Sequence, residues 1–218
     1  MPQQLSFDLP VRTALGRDDF MVSPGNAVAV SLIENWANWP GGKLVLTGPP
    51  GAGKTHLTHV WAGLSGARIV AAGDLAGADI PDLAGGAVAV EDVPQIAQDT
   101  DAMTALFHLH NLVLANGHAL LMTGRGAPVH WGLALPDLQS RVGGTPAAIL
   151  ELPDDALLAA VLAKLFADRQ LKPRIDVIPY LALHMERSFE AARRIVAALD
   201  TESLSAQKPL TRVMAAKA

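Results

Sequence analysis

The chain has 218 residues, room for one α/β domain with a small attachment, and half of them are hydrophobic, enough for a core of that size. A net charge of −4 and a pI near 5.9 lack the basic excess by which proteins hold nucleic-acid phosphates, which argues against strong direct DNA binding. No apolar run is long enough for a membrane span and no basic-then-apolar leader opens the chain, so a cytoplasmic protein without membrane attachment is expected. The absence of cysteine removes disulfides, thiolate metal sites and cysteine nucleophiles.

Residues 1–16 are polar and proline-flanked, and read as a tail rather than core. Within them, Gln4-Leu5-Ser6-Phe7-Asp8-Leu9 alternates apolar side chains after a glutamine. An extended peptide of this pattern can set Leu5, Phe7 and Leu9 into pockets on a partner surface, although a bare hexamer by itself reads first as an unstructured tail. From Asn26 to Trp36 apolar residues recur at helical spacing, and Pro40-Gly41-Gly42 stops the helix. Lys43 to Thr47 reads as a short buried strand.

The next eight residues, Gly48-Pro49-Pro50-Gly51-Ala52-Gly53-Lys54-Thr55, match G-x-x-x-x-G-K-[ST]. The glycines let backbone N–H groups close around a β-phosphate with no Cβ in the way. Lys54 supplies a point charge to the β and γ oxygens, and the Thr55 hydroxyl can ligate Mg²⁺. His56 to Leu64 continues as a helix whose N-terminal dipole favours an anion. The implied ligand is a nucleoside di- or triphosphate.

Arg68–Ala71 is a second candidate strand and Ala87–Val90 a third, running into Glu91 and Asp92. A phosphate-binding loop needs a neighbouring carboxylate to organise Mg²⁺, and Glu91 stands in that place, with Asp92 where a water-activating base belongs. Asp101–Asn116 reads as a helix ended by Gly117, followed by strands at Ala119–Met122 and Ala147–Leu150. Strands alternating with helices imply a parallel, three-layer α/β sheet. After Pro153 the strands cease. Asp154 is a good N-cap for the run through Asp168, and Ile175–Met185 and Ser188–Leu199 are also helical. The expected organisation is a tail over 1–16, a nucleotide-binding core over 17–152 and a helical lid over 153–218.

Other clusters read as structure. His108 and His110 fall on different helix faces, while His56 and His59 share a face without a third ligand. The four tryptophans lack basic interleaving and read as packing, and Arg193-Arg194 as a solvated pair.

The order of these motifs resembles the AAA+ ATPases, and more narrowly the family of the replication initiator DnaA, over about residues 20–200. Asp19-Phe20-Met21-Val22-Ser23-Pro24-Gly25-Asn26 is similar to that family's segment packing on adenine, which implies nucleotide contacts at Phe20, Val22 and Asn26. The loop ends Gly-Lys-Thr-His-Leu as in the family, implying contacts from Pro50 through His56. Leu138-Gln139-Ser140-Arg141 lies where the family carries its arginine finger, and Met185-Glu186-Arg187 where the lid helix carries its sensor arginine.

A DnaA-like core without that family's DNA-binding and helicase-contacting domains is expected, and Gln4–Leu9 resembles the hexapeptide that docks replication proteins on the DNA sliding clamp. This combination resembles the regulatory inactivators of DnaA (the Hda type), negative regulators of replication initiation associated with the replisome. The resemblance implies docking on the β subunit clamp of DNA polymerase III through Gln4, Leu5, Phe7 and Leu9. It also implies DnaA as partner and hydrolysis of DnaA-bound ATP promoted in trans by Arg141. ADP is the implied working ligand, with ATP and Mg²⁺ also accommodated. Gly124, where an acid would fall, and Glu91, in place of the usual aspartate, imply weak intrinsic hydrolysis. Two other readings stay open: an autonomous AAA+ ATPase or loading factor, and a DnaA adaptor that works without the clamp. The oligomeric state, a homodimer included, is not fixed by sequence.

Overall fold

The computed structural model describes residue 16, residues 20–206 and residues 210–217. The hexapeptide Gln4–Leu9 lies outside the described residues. Five strands, β1 (Lys43–Thr47), β2 (Arg68–Ala71), β3 (Val88–Glu91), β4 (Leu120–Gly124) and β5 (Ala147–Ile149), form one parallel sheet in the order β2-β3-β4-β1-β5. The strands are nearly continuous apolar runs because both faces of the sheet are covered.

Side chains alternate across β1, so Val45 faces one layer while Leu44 and Leu46 face the other. On the Val45 side, helix α4 (Thr100–Ala115) presents Leu106, Leu109 and Val113 to Val88, Val90, Leu120 and Met122. On the opposite side, α1 (Ala27–Glu34) and α2 (Lys54–Ser65) bring Ile33, Leu57 and Trp61 against Ala89 and Leu121. Trp39 stacks on Trp61 in that second layer, with ring centroids 5.2 Å apart.

Beyond β5 the chain is helical: α6 (Asp155–Asp168), α7 (Val177–His184), α8 (Phe189–Ala206) and α9 (Arg212–Ala215). They share a third apolar cluster that includes Leu162, Phe166, Leu181, Val196 and Met214. Asp154 caps α6, its carboxylate accepting the Leu157 N–H at 2.7 Å. Among the described residues no helix is long and apolar enough to cross a membrane.

The boundaries differ from the sequence reading at informative places. β3 starts one residue later and takes in Glu91, and β4 runs two residues past Met122 because Thr123 and Gly124 are buried sheet positions. Two short helices packed against α4, α3 (Ile80–Leu83) and α5 (Pro136–Gly143), lack the apolar repeats that announce longer ones. α5 buries only Leu138 and Val142. The sheet order matters for function: β4 separates β1 from β3, so the loops following these three strands converge on one edge, where ligands of open α/β sheets bind.

Candidate functional site

A cleft of about 390 Å³ opens at that edge, lined by Pro50, Gly51, Gly53, Lys54, Thr55, His56, Asp92, Arg125, Phe189, Glu190 and Arg193. The loop between β1 and α2 makes its floor. Gly51 (φ +75°) and Gly53 (φ +96°) hold left-handed conformations that side-chain-bearing residues rarely adopt, and Gly53 leads directly into α2. Ala52 turns the other way and is buried in the core. Lys54 Nζ donates to the loop's own carbonyls, Gly48 O at 2.7 Å and Pro49 O at 3.0 Å. Its ammonium is therefore held over the loop and can be drawn off by a bound phosphate.

Burial pulls the Lys54 pKa below the usual lysine value. The Asp92 and Glu91 carboxylates oppose the shift, and the Arg125 guanidinium adds to it. Asp92 sits in the left-handed region (φ 56°, ψ 44°), and its N–H donates to Thr123 Oγ1 at 3.0 Å. The buried Thr123 thus fixes where the chain leaves β3. A Cβ at Gly124 would collide with the Trp131 ring and Pro94, so no acidic side chain fits there. The Trp131 indole N–H donates to Arg125 O at 2.9 Å and Gly126 O at 3.2 Å, clamping the turn that carries Arg125 into the cleft.

The residues present fit a magnesium ion held largely by phosphate oxygens and water. Thr55 offers a hydroxyl and Asp92 a carboxylate in the cleft lining, whereas Glu91, the acid expected to organise the metal, ends β3 and is not among the lining residues; among the described residues no group of three or more carboxylates or imidazoles could hold a metal alone. A larger, shallower hollow of about 650 Å³ over Pro94–Asp101 has no cation in its lining.

The lid closes on the loop directly. Ser188 sits against Gly51, where a Cβ would overlap its own, and the Phe189 N–H donates to Gly51 O at 3.3 Å. The Phe189 and Phe20 rings lie where a Gly53 Cβ would point. Arg187, the residue expected to reach the phosphates, is engaged elsewhere. Its guanidinium bonds Asp155 Oδ1 at 2.6 Å and Pro153 O at 3.3 Å, tying the approach of α8 to the start of α6. The lid cation in the cleft is Arg193, a residue read from sequence as solvated. Phe189 and Arg193 are four residues apart on α8, so one face reaches the loop. That spacing is visible in the sequence once the helix start is known.

Of the residues expected on the adenine side, Phe20 is buried and meets His56 edge-to-face at 5.1 Å. Asn26 is buried too, with its amide spent on backbone: Oδ1 accepts the Ser23 N–H at 2.9 Å and Nδ2 donates to Met21 O at 3.0 Å. It shapes the segment, while Val22 is exposed, and neither lines the cleft.

Arg141 lies far from this cleft. It occupies the last turn of α5, with its guanidinium over the Phe107 ring at 5.1 Å, and its carbonyl accepts from Lys43 Nζ at 3.3 Å. Lys43 opens β1, whereas the phosphate loop follows the other end of the strand, roughly 15 Å away.

The parallel five-stranded sheet, the loop between β1 and α2 and the helical lid together are the AAA+ P-loop fold. Domain III of the replication initiation protein DnaA from Thermotoga maritima superposes with a TM-score of 0.81 at 19% identity, over 95% of this chain and 96% of that one. DnaA from Aquifex aeolicus bound to AMPPCP superposes at 0.74 and 17% identity, and the RuvB A156S mutant of Thermotoga maritima at 0.66 and 14%. The chain spans 65% of that DnaA chain and 66% of that RuvB chain. No family model matches the sequence, and no curated protein matches it.

Proposed function

We propose that this chain is an AAA+ regulator of replication initiation that holds an adenine nucleotide, ADP in its working state, and acts through Arg141 on ATP bound to DnaA. The observation that carries the reading is the position of Arg141. Its carbonyl is bonded to the residue that opens β1, while the chain's own phosphate loop follows the end of β1. An arginine so placed cannot stabilise charge on its own nucleotide, and it is exposed for contact with another molecule. An arginine supplied in trans beside a γ-phosphate is worth about 10³–10⁵ in rate.

The cleft suits nucleotide retention better than turnover. Lys54, Arg125 and Arg193 supply positive charge for phosphates, Thr55 and Asp92 can hold Mg²⁺, and Glu91 adds negative charge behind them. At the end of β4 the indole of Trp131 takes the space that a water-orienting acid would need. The nucleotide then serves as a ligand that ties the lid to the core through α8. Docking on the sliding clamp through Gln4, Leu5, Phe7 and Leu9 would restrict this action to replicating DNA. The test is hydrolysis of DnaA-bound ATP with DNA-loaded clamp, comparing the full chain with a Gln4–Leu9 deletion. Stimulation by the full chain that the deletion loses supports the reading. Equal stimulation by both leaves a clamp-independent adaptor, and none by either refutes the proposal.

A further inference from the structure

At the end of the sheet opposite the cleft, three basic side chains gather without an acid. Lys43 Nζ lies 3.2 Å from His110 Nε2 and 3.3 Å from Arg141 O. His110 is buried in α4, one turn beyond the Phe107 that carries the Arg141 guanidinium. With Nε2 accepting from the ammonium, the remaining imidazole proton sits on Nδ1, 3.4 Å from Asn111 Oδ1. Two of the three ammonium protons of Lys43 thus have internal partners, and the third is left for an outside acceptor.

No carboxylate pairs with Lys43 or Arg141 among the described residues. The charges acting on Lys43 and His110 are all positive. Burial, then the Arg141 guanidinium, lowers the Lys43 pKa. Burial, then Lys43, lowers that of His110, with the Asn111 bond opposing and Arg141 adding. Like charges without a counter-charge oppose folding, and local conflicts of this kind concentrate at functional sites. The backbone supports the pairing: Lys43 bonds a carbonyl in the last turn of α5, and Thr145 Oγ1 donates to the same carbonyl at 2.8 Å. The helix end that carries the guanidinium is thereby fixed relative to the ammonium.

We propose that Lys43 and Arg141 form one anion-binding site, a two-cation receptor for the terminal phosphates of a nucleotide carried by another molecule. That a second protein carries the nucleotide rests on the reading of Arg141 given above; the anion site itself does not. Lys43 contributes a point charge and Arg141 a planar fork, a division of labour suited to a phosphate chain whose oxygens diverge.

Two measurements separate the claims. The first titrates inorganic tripolyphosphate into the full chain whose own cleft is filled with ADP, following the imidazole resonances of His110. Wild type is expected to give a saturable shift, weakened at least tenfold in Lys43→Met and in Arg141→Ala. The second measures hydrolysis of DnaA-bound ATP in the presence of the same proteins. Here Lys43→Met is expected to lower the maximal stimulated rate roughly a hundredfold, and Lys43→Arg to restore most of it, with unfolding midpoints of the variants close to wild type. Absence of a tripolyphosphate shift, or one that Lys43→Met leaves intact, overturns the two-cation site. If both variants lose tripolyphosphate yet neither changes DnaA hydrolysis, the site stands and the DnaA reading falls. If Arg141→Ala abolishes stimulation while Lys43→Met behaves as wild type in both assays, the reading stands and the site falls.

Discussion

His110 shows how much a single buried side chain can set. Burial and the adjacent Lys43 ammonium hold its pKa down to about 4, against 6.5 for a free histidine. Between those values the unfolded chain takes up a proton that the folded chain refuses, so stability present at neutral pH falls as pH drops from about 6.5 toward 4. The full effect is at most about 3 kcal/mol. The unfolding midpoint of wild type should therefore drop more steeply over that range than that of His110→Asn; parallel curves would remove His110 as the cause. Gly51 is a second critical position, because its left-handed backbone and its contact with Ser188 both exclude a Cβ. Gly51→Ala should destabilise the fold by about 1–3 kcal/mol and weaken nucleotide binding, read from denaturant midpoints and a nucleotide titration. A variant as stable as wild type would mean that the lid does not rest on the loop in solution.

At the scale of elements, the lid depends on the caps that start its helices. Asp154 bonds the Leu157 N–H at the head of α6, and Arg187 ties the same region to the start of α8 through Asp155. Asp154→Ala should cost about 1 kcal/mol and lower amide-exchange protection in α6 before that of the sheet; uniform loss would argue that lid and core unfold together. The elements also show what sequence could reveal. β1 and β2 were legible to the residue, because continuous apolar runs bounded by glycine or polar residues have few alternative readings. The loop of residues 48–55 was equally plain, since each position has a chemical task that limits the residue types allowed. β4 was read two residues short because Thr-Gly resembles a turn until the Trp131 ring beside Gly124 explains the missing side chain. α3 and α9 are too short for a periodic signal, and α5 buries too few side chains to show one. Arg187 and Arg193 illustrate a deeper limit: chain order places both near the start of α8, and only the side chains' packing decides which enters the cleft. Arg125 is hidden in the sequence for the same reason, as nothing in a Gly-Arg-Gly turn announces that Trp131 clamps it beside Lys54.

For the whole molecule, the fold divides its two charged regions between opposite ends of one sheet. The cleft follows the ends of β1, β3 and β4, while Lys43, His110 and Arg141 gather where β1 begins. A ligand in the cleft bridges core and lid, so nucleotide should stabilise the whole chain. At a hundredfold excess over Kd the gain is about 2.7 kcal/mol, seen as a rise in unfolding midpoint that Lys54→Ala abolishes. A nucleotide-dependent rise that survives Lys54→Ala would place binding elsewhere. The central claim is that the cleft holds a nucleotide while Arg141 works on one held by DnaA. The direct measurement is a single turnover of DnaA loaded with γ-labelled ATP, mixed with DNA-loaded clamp and with this chain carrying unlabelled ADP. Release of labelled phosphate should accelerate with wild type and fall by about 10³ or more with Arg141→Ala, while both proteins retain ADP equally. Equal acceleration by wild type and Arg141→Ala, or none by either, would contradict the account.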